Sequence, residues 1–312
     1  MKNVFAGAAY RSHPIGKFLR KNLGIYLFLL PGTVLFASWT IYPIIYSFIR
    51  SFQSWDILNA ANNKWIGVGN YIRFVSDPYI TKAFLNVLCF TAVTVMGKTV
   101  FGLLFAVLLN QKIRALTFWR TVYFLPVAVS MLAGTYMFRF IFSSQEAGLI
   151  NYILVDILRI SKEPVMWFQY RWLSLIGLAG LNLWKGIGFG MVIYLAALQT
   201  IPIELDEACA IDGAMGWKKF RYLTLPLIQP TILFTTVMYT MGGMNAFLEM
   251  FVLTPPRGEH IFDSVLSIVY QKTFGDLDFG IGTSSAFVMA VILGLINFMQ
   301  VKFMQRSDLA SS

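Results

Sequence analysis

The sequence predicts an all-α, multi-pass membrane protein with six transmembrane helices and both termini in the cytoplasm. Three observations carry that prediction. Of its 312 residues, 57% are hydrophobic and 13% charged, with a mean hydropathy of +0.65, far too apolar for an ordinary soluble domain. Six apolar runs reach the roughly 20 residues a helix needs to cross a bilayer; they lie near Leu23–Ile49, Ala83–Leu109, Trp119–Phe142, Trp172–Leu198, Leu227–Leu253 and Ile281–Met304. With both ends inside, the inner segments hold 13 Lys/Arg against five acids, whereas the outer loops hold nine against nine, the asymmetry that orients membrane proteins. The net charge of +10 therefore records topology. It does not point to nucleic acid, whose binders need a solvated basic face.

The segments follow in order. Residues 1–22, with Lys2, Arg11, Lys17, Arg20 and Lys21, form a cytoplasmic N-terminal segment. The first apolar run is too long for a signal peptide and lacks a small-x-small cleavage site, so it stays as the first span. Its Pro31 and Pro43 are tolerated where neighbouring helices satisfy freed carbonyls. The outer loop Arg50–Lys82 carries Trp55, Trp65, Tyr71 and Tyr79, an interfacial aromatic set. In span two, Ala92 and Gly97-Lys98-Thr99 satisfy a relaxed phosphate-loop pattern. That chemistry needs a glycine-rich loop between strand and helix, and here the setting is a continuous apolar helix, so no ATP site is expected. Gly148–Leu158, an apolar run of eleven residues, is too short to span and reads as a half-buried outer helix. The membrane part thus runs from 23 to 305, with a cytoplasmic tail at 306–312. Cys89 and Cys209 fall in different segments, and His13 and His260 on opposite sides. The sequence therefore offers no disulfide framework, metal spacing, cofactor site or catalytic residue.

The most structured polar interruption is Gln199–Pro226. Pro202 fits the first turn of a helix, and Glu204, Asp206 and Glu207 suit its positive end. Ala208, Cys209 and Ala210 give a surface another protein can approach closely. Asp212-Gly213 is a turn signal, with Gly213 free to take a positive φ. A second short helix carries Trp217 and Phe220 beside Lys218, Lys219 and Arg221, until Pro226 stops it. Two readings stay open: a helix–turn–helix plug for a cytoplasmic partner, or an amphipathic connector on the inner leaflet.

Charges within the spans are expensive and mark functional candidates. Glu249 lies near the outer end of span five, with Asn245 one turn before it on the same face of a continuous helix. Gly242 and Gly243 below them either let helices approach or leave room for a ligand. Glu249 could also pair with Lys98 or Lys185. Arg139 can snorkel to the outer face. Ser284 and Ser285, early in span six, can reach a ligand or bond back to their own helix.

The order Glu207-Ala208-Cys209, three residues, Gly213, nine residues, Leu223-x-Leu225-Pro226 resembles the EAA loop of binding-protein-dependent ABC importers, with Cys209 and Leu223 replacing Ala and Ile. Gly67-Val68-Gly69-Asn70-Tyr71, Trp184-Lys185-Gly186 and Phe279-Gly280 resemble further elements of the maltose/lactose-type sugar permeases. Pro255-Pro256-Arg257-Gly258 departs from their Gly-Gly-Pro turn. The resemblance covers nearly the whole chain and favours the maltose-permease-like member of an unlike pair.

That resemblance implies the type I importer permease fold, in the cytoplasmic membrane of a prokaryote. It implies a second homologous permease, two cytoplasmic ATPase subunits that bind the ATP, an extracytoplasmic solute-binding protein, and a di- or oligosaccharide as cargo. Coupling to the ATPases would fall on Glu207, Ala208, Cys209, Ala210, Asp212, Gly213, Trp217 and Phe220. Sugar contact would fall on Asn245, Glu249, Gly242, Ser284 and Ser285. Three intramembrane cations (Lys98, Arg139, Lys185) against one acid suit an acidic sugar. The rivals are a stand-alone secondary carrier, which usually shows inverted repeats not apparent here, and an assembly or scaffold protein.

Overall fold

The computed structural model describes residues 22–55, 63–111, 114–144, 148–253 and 262–309, the last six as backbone only. The basic residues of the N-terminal segment, His13, His260 and the Pro255–Gly258 turn lie outside the described residues.

Among the described residues, four helices are long and apolar enough to cross a membrane: α1 (Leu23–Arg50, including a π turn at Ala37–Ile41), α3 (Pro78–Leu109), α7 (Arg171–Gln199) and α13 (Phe279–Leu309). Two more crossings are bent pairs. α4 (Leu116–Ala128) and α5 (Met131–Ile141) meet at 96°, and α9 (Trp217–Leu227) and α10 (Gln229–Met244) at 69°. The expected single run Trp119–Phe142 is therefore broken. Val129 and Ser130 are extended, and Ser130 Oγ caps α5 by accepting from Ala133 N–H at 3.1 Å. Run five is broken as well: α10 ends at Met244, and a separate α11 (Leu248–Leu253) packs on α5. Short helices α2 (Gly69–Ser76), α6 (Leu149–Tyr152, continued by a π turn at Ile153–Ile157), α8 (Ile203–Ile211) and α12 (Val265–Tyr270, continued by a π turn at Gln271–Gly275) complete the helical set among the described residues. The half-buried helix expected at Gly148–Leu158 is thus present.

α3 and α7 form the axis of the bundle and pack closely at Gly102, whose added Cβ would lie 3.4 Å from Met191 N and 3.5 Å from Gly190 C. Two apolar clusters lie along that axis. One gathers Val87, Phe90, Leu178, Leu181, Met244 and Met250; the other, toward the α8–α9 end, gathers Ala106, Met191, Tyr194, Leu198 and Ile228. By contrast, no residue of α1 is buried. Its apolar surface faces outward along its whole length, touching the bundle through contacts such as Phe48 on Phe287 at 5.1 Å.

At the end opposite α8–α9, two sequence motifs meet. Gly67 takes φ +57° and the buried Asn70 donates to Ser51 O and Gln53 O at 2.8 and 2.9 Å, fastening α2 to strand β1 (Gln53–Ser54), which pairs with β2 (Lys64–Trp65). Gly280 lets α13 pass: a Cβ there would lie 2.7 Å from Asn70 Nδ2. Arg73 and Asp278 add an ion pair of 2.9 Å across the same joint.

Candidate functional site

Two polar regions stand out, an exposed hairpin at one end and a buried cluster within the bundle.

The hairpin is α8–turn–α9. Pro202 precedes α8 in an extended conformation, and Glu204 and Asp206 occupy its first turn. Gly213 has φ +70° with open space around it, so backbone conformation rather than crowding selects glycine. Gly216, at φ +58° and ψ −120°, is a second left-handed position that sequence reading missed. Glu207, Ala208, Ala210 and Asp212 are exposed and Cys209 half-buried. Trp217, 73% exposed, stacks on the half-buried Phe220 at 5.3 Å. Lys219 bridges to Asp206 at 2.7 Å, tying the two helices together. Ile211 and Met215, 86% and 68% exposed, widen the apolar tip; the only sequence sign was their position beside Asp212-Gly213. Pro226 does not stop α9. A π turn at Phe220–Thr224 has already displaced the hydrogen-bond ladder, Pro226 fits the first turn of the segment that follows, and the break comes at Ile228, before Pro230. Beneath the hairpin lies a cavity of about 410 Å³ lined by Asn110, Gln111, Asp206, Lys219 and Phe220 among others.

Within the bundle, Glu249 is 5% exposed and accepts a 3.0 Å hydrogen bond from Asn182 Nδ2. Asn182 was not singled out from sequence, although a lone Asn three residues before Lys185 in an apolar helix was the available signal. Asn245 does not share a helical face with Glu249. It caps the end of α10, exposed, its amide bonded to Met241 O at 2.9 Å, and the chain breaks before α11 begins. The two glycines divide their expected roles. Gly243 is a packing position, where a Cβ would meet Thr91 Oγ1 at 2.7 Å, whereas a Cβ on Gly242 would meet nothing within 4 Å. Ser284 and Ser285 are buried, and their hydroxyls bond back to Ile281 O at 3.0 and 2.6 Å.

The three cations do not converge. Lys185 donates to the carbonyls of Val127 and Val129, capping the C-terminal end of α4 at the bend; Gly188 permits that approach, since a Cβ there would collide with Tyr123 O. Lys98 lies in the continuous helix α3, buried, with its ammonium 5.1 Å from the centre of the Tyr239 ring. Arg139 is exposed in the last turn of α5. No ion pair within 4 Å joins Glu249 to Lys98 or Lys185 among the described residues. The described residues also hold no cluster of metal-ligating side chains.

The chain is similar to known proteins in sequence and in fold. The chain is 31% identical over 281 residues to the lactose transport system permease protein LacF of Rhizobium radiobacter, covering 88% of this chain and 92% of that one. It is also 31% identical to the arabinooligosaccharides transport system permease protein AraP of Halalkalibacterium halodurans, covering 88% and 86%. Its fold matches a chain of a bacterial ABC transporter involved in the import of the acidic polysaccharide alginate, with a TM-score of 0.80 at 21% identity over 94% of this chain and 98% of that one. The family model described as binding-protein-dependent transport system inner membrane component matches residues 98–307, and the chain belongs to that family.

Proposed function

We propose that this chain is one of two unlike permease subunits of an ATP-driven importer that carries a di- or oligosaccharide across the cytoplasmic membrane of a prokaryote. Two ATPase subunits drive it through the α8–α9 hairpin, and an extracytoplasmic binding protein delivers the sugar. The chain itself hydrolyses no ATP. The observation that carries this reading is the hairpin: an exposed Glu207, small residues on the same short helix, and two left-handed glycines that set the angle to α9, at the spacing of the importer coupling loop. Relatives that transport lactose and arabino-oligosaccharides support a sugar as cargo.

The roles divide accordingly. Glu207 meets a basic residue of an ATPase, and Ala208, Cys209 and Ala210 allow close contact. Asp212 and Gly213 form the turn, and the exposed Trp217, backed by Phe220, offers an aromatic contact to the ATPase. ATPase closure moves this rigid contact and biases the helices between two arrangements. Asn182 and Glu249, with Gly242 and the exposed Asn245 from the end of α10, form the sugar contact; Asn and Glu suit hydroxyl groups because each can hydrogen-bond them. Ser284 and Ser285, whose hydroxyl hydrogens go to Ile281 O, contribute as acceptors only. Because Lys98 and Lys185 are engaged by the protein, an acidic cargo draws no support from their charge.

The test is uptake into proteoliposomes of a panel of lactose, arabino-oligosaccharides and uronate oligosaccharides. The chain is assayed alone with an ion gradient, and together with its partner permease, ATPases, binding protein and ATP. Uptake only in the second arrangement is expected. Uptake by the chain alone would replace this reading with a secondary carrier.

A further inference from the structure

Along one face of α7, Asn182, Gly186 and Gly190 follow one another at four-residue steps, each about 6 Å beyond the last. Each step seats a side chain from another helix. Asn182 holds the Glu249 carboxylate of α11. At Gly186 the stem of Lys98 from α3 lies across the backbone, since a Cβ there would come 2.5 Å from Lys98 Cε and 3.2 Å from its Nζ. At Gly190 the Tyr239 hydroxyl from α10 fills the place of a side chain, and the Tyr239 ring holds the Lys98 ammonium. Cation and carboxylate, both buried, are thus stacked about one turn apart, and each lies in the field of the other. Yet among the described residues no ion pair within 4 Å joins them.

Neither charge has an opposite charge in contact, although buried ions are costly to leave unpaired. The way between them is clear on the α7 side: Gly186 leaves the face bare, and the neighbouring Lys185 is turned to the carbonyls of Val127 and Val129. A lysine ammonium is a compact charge on a flexible four-carbon stem, so rotation of that stem carries it toward Asn182. The carboxylate sits on a short helix separated from α10 by the break at Asn245, so α11 can shift without dragging α10 with it.

We propose that Lys98 is a positioning residue for transport: in the second arrangement of the bundle its ammonium leaves the Tyr239 ring and takes the Glu249 carboxylate. The arrangement seen here is held by the Asn182 hydrogen bond and the Tyr239 ring, the other by a buried ion pair. Such contacts, made in one state and not in the other, are what a two-state element requires. The inference rests on the importer reading above, which supplies the second arrangement, and its test separates the two.

The test compares the complete complex without nucleotide and trapped with ATP and vanadate. Lys98→Met removes the charge and keeps much of the stem; Glu249→Gln removes the charge and keeps an oxygen for Asn182. Thermal midpoints of the wild type, both single variants and the double variant measure the coupling between the two positions in each state, with any separate cost of either change subtracted. Coupling is expected in one state, where the double variant loses several degrees less than the two singles together, and near-additive losses in the other. Equal coupling in both states would show a fixed structural pair, and no coupling in either would show two independent groups. Either result overturns the proposal. Uptake gives a second readout: each single variant slows ATP-driven uptake at least tenfold, and the double variant is no slower than the slower single. Single variants that transport at the wild-type rate would also overturn it. Wild-type complex with no ATP-dependent uptake would overturn the importer reading and the proposal together, and is recognised before any variant is made.

Discussion

The hairpin and the buried cluster are both polar interruptions of an apolar chain, yet they are built on opposite principles. Every device in the hairpin acts over a few residues: Pro202 starts α8, Gly213 and Gly216 turn the chain, and Lys219 reaches back to Asp206. In the cluster, contacts join positions far apart in sequence. Asn182 meets Glu249 at a separation of 67 residues, Lys185 meets Val127 at 58, and Gln300 meets Thr240 at 60. The hairpin is local and exposed, so it can change partners without disturbing the bundle. The cluster is non-local and buried, so its polar groups hold the bundle together and any ligand must compete with those contacts.

The largest expected effect breaks the hairpin alone. Gly213→Val places a β-branched residue at φ +70°, where left-handed backbone costs an L-residue about 1–2 kcal/mol. No neighbour crowds the site, so the turn re-forms at another angle rather than clashing. Uptake by the complete complex should fall at least tenfold, enough to register as one lost coupling contact of about 1.4 kcal/mol, while membrane insertion and the thermal midpoint of the purified chain stay unchanged. If the midpoint fell with uptake, the hairpin would not be separable from the bundle.

Lys185→Met attacks the other principle. It removes the ammonium from the carbonyls at the end of α4 and leaves them unmatched at the 96° bend. Hydrogen bonds to charged groups are worth about 1.5–3 kcal/mol, so the thermal midpoint in detergent should drop by several degrees. Lys185→Arg should recover part of the loss. An unchanged midpoint would mean that Ser130 and packing set the bend without Lys185.

These two regions also explain how much of the molecule could be read from its sequence. Hydropathy located the apolar runs because a bilayer demands about 20 apolar residues whatever the tertiary structure, and the positive φ of Gly213 followed from Asp-Gly chemistry. The break at Val129-Ser130 had local signs, Pro126 within α4 and the Ser130 cap of α5, but the Lys185 that satisfies its freed carbonyls lies in another helix. Asn245 and Glu249 looked like neighbours one turn apart, but α10 ends between them, and the true partner of Glu249 is Asn182. Lys98 resembled part of a phosphate loop and is instead an ammonium beside the Tyr239 ring. Local signals were legible; pairings between helices were not, since no spacing rule links α7 to α11.

Glu249→Leu and Asn182→Leu sharpen that pairing. Each single change strands one buried polar partner, at about 1–3 kcal/mol. The double change strands neither, so it should cost less than the two singles together, by at least about 0.5 kcal/mol. Urea or thermal melting of the four proteins measures the coupling. Additive losses would mean that the 3.0 Å contact contributes nothing to stability.

The smallest effect is expected at Asp206–Lys219, whose side chains are 42% and 35% exposed. Such a pair is worth about 0.2–1 kcal/mol and is screened by salt, so Asp206→Asn should leave the thermal midpoint within error. Its role is to hold α9 against α8, and that role is local, so uptake should fall by no more than about fivefold, the equivalent of 1 kcal/mol. The exchanged pair Asp206→Lys with Lys219→Asp should restore much of it, less so at high salt. An effect as large as that of Gly213→Val would instead place the carboxylate of Asp206 in direct contact with a partner, because an exposed tie between two short helices cannot supply that much energy by itself.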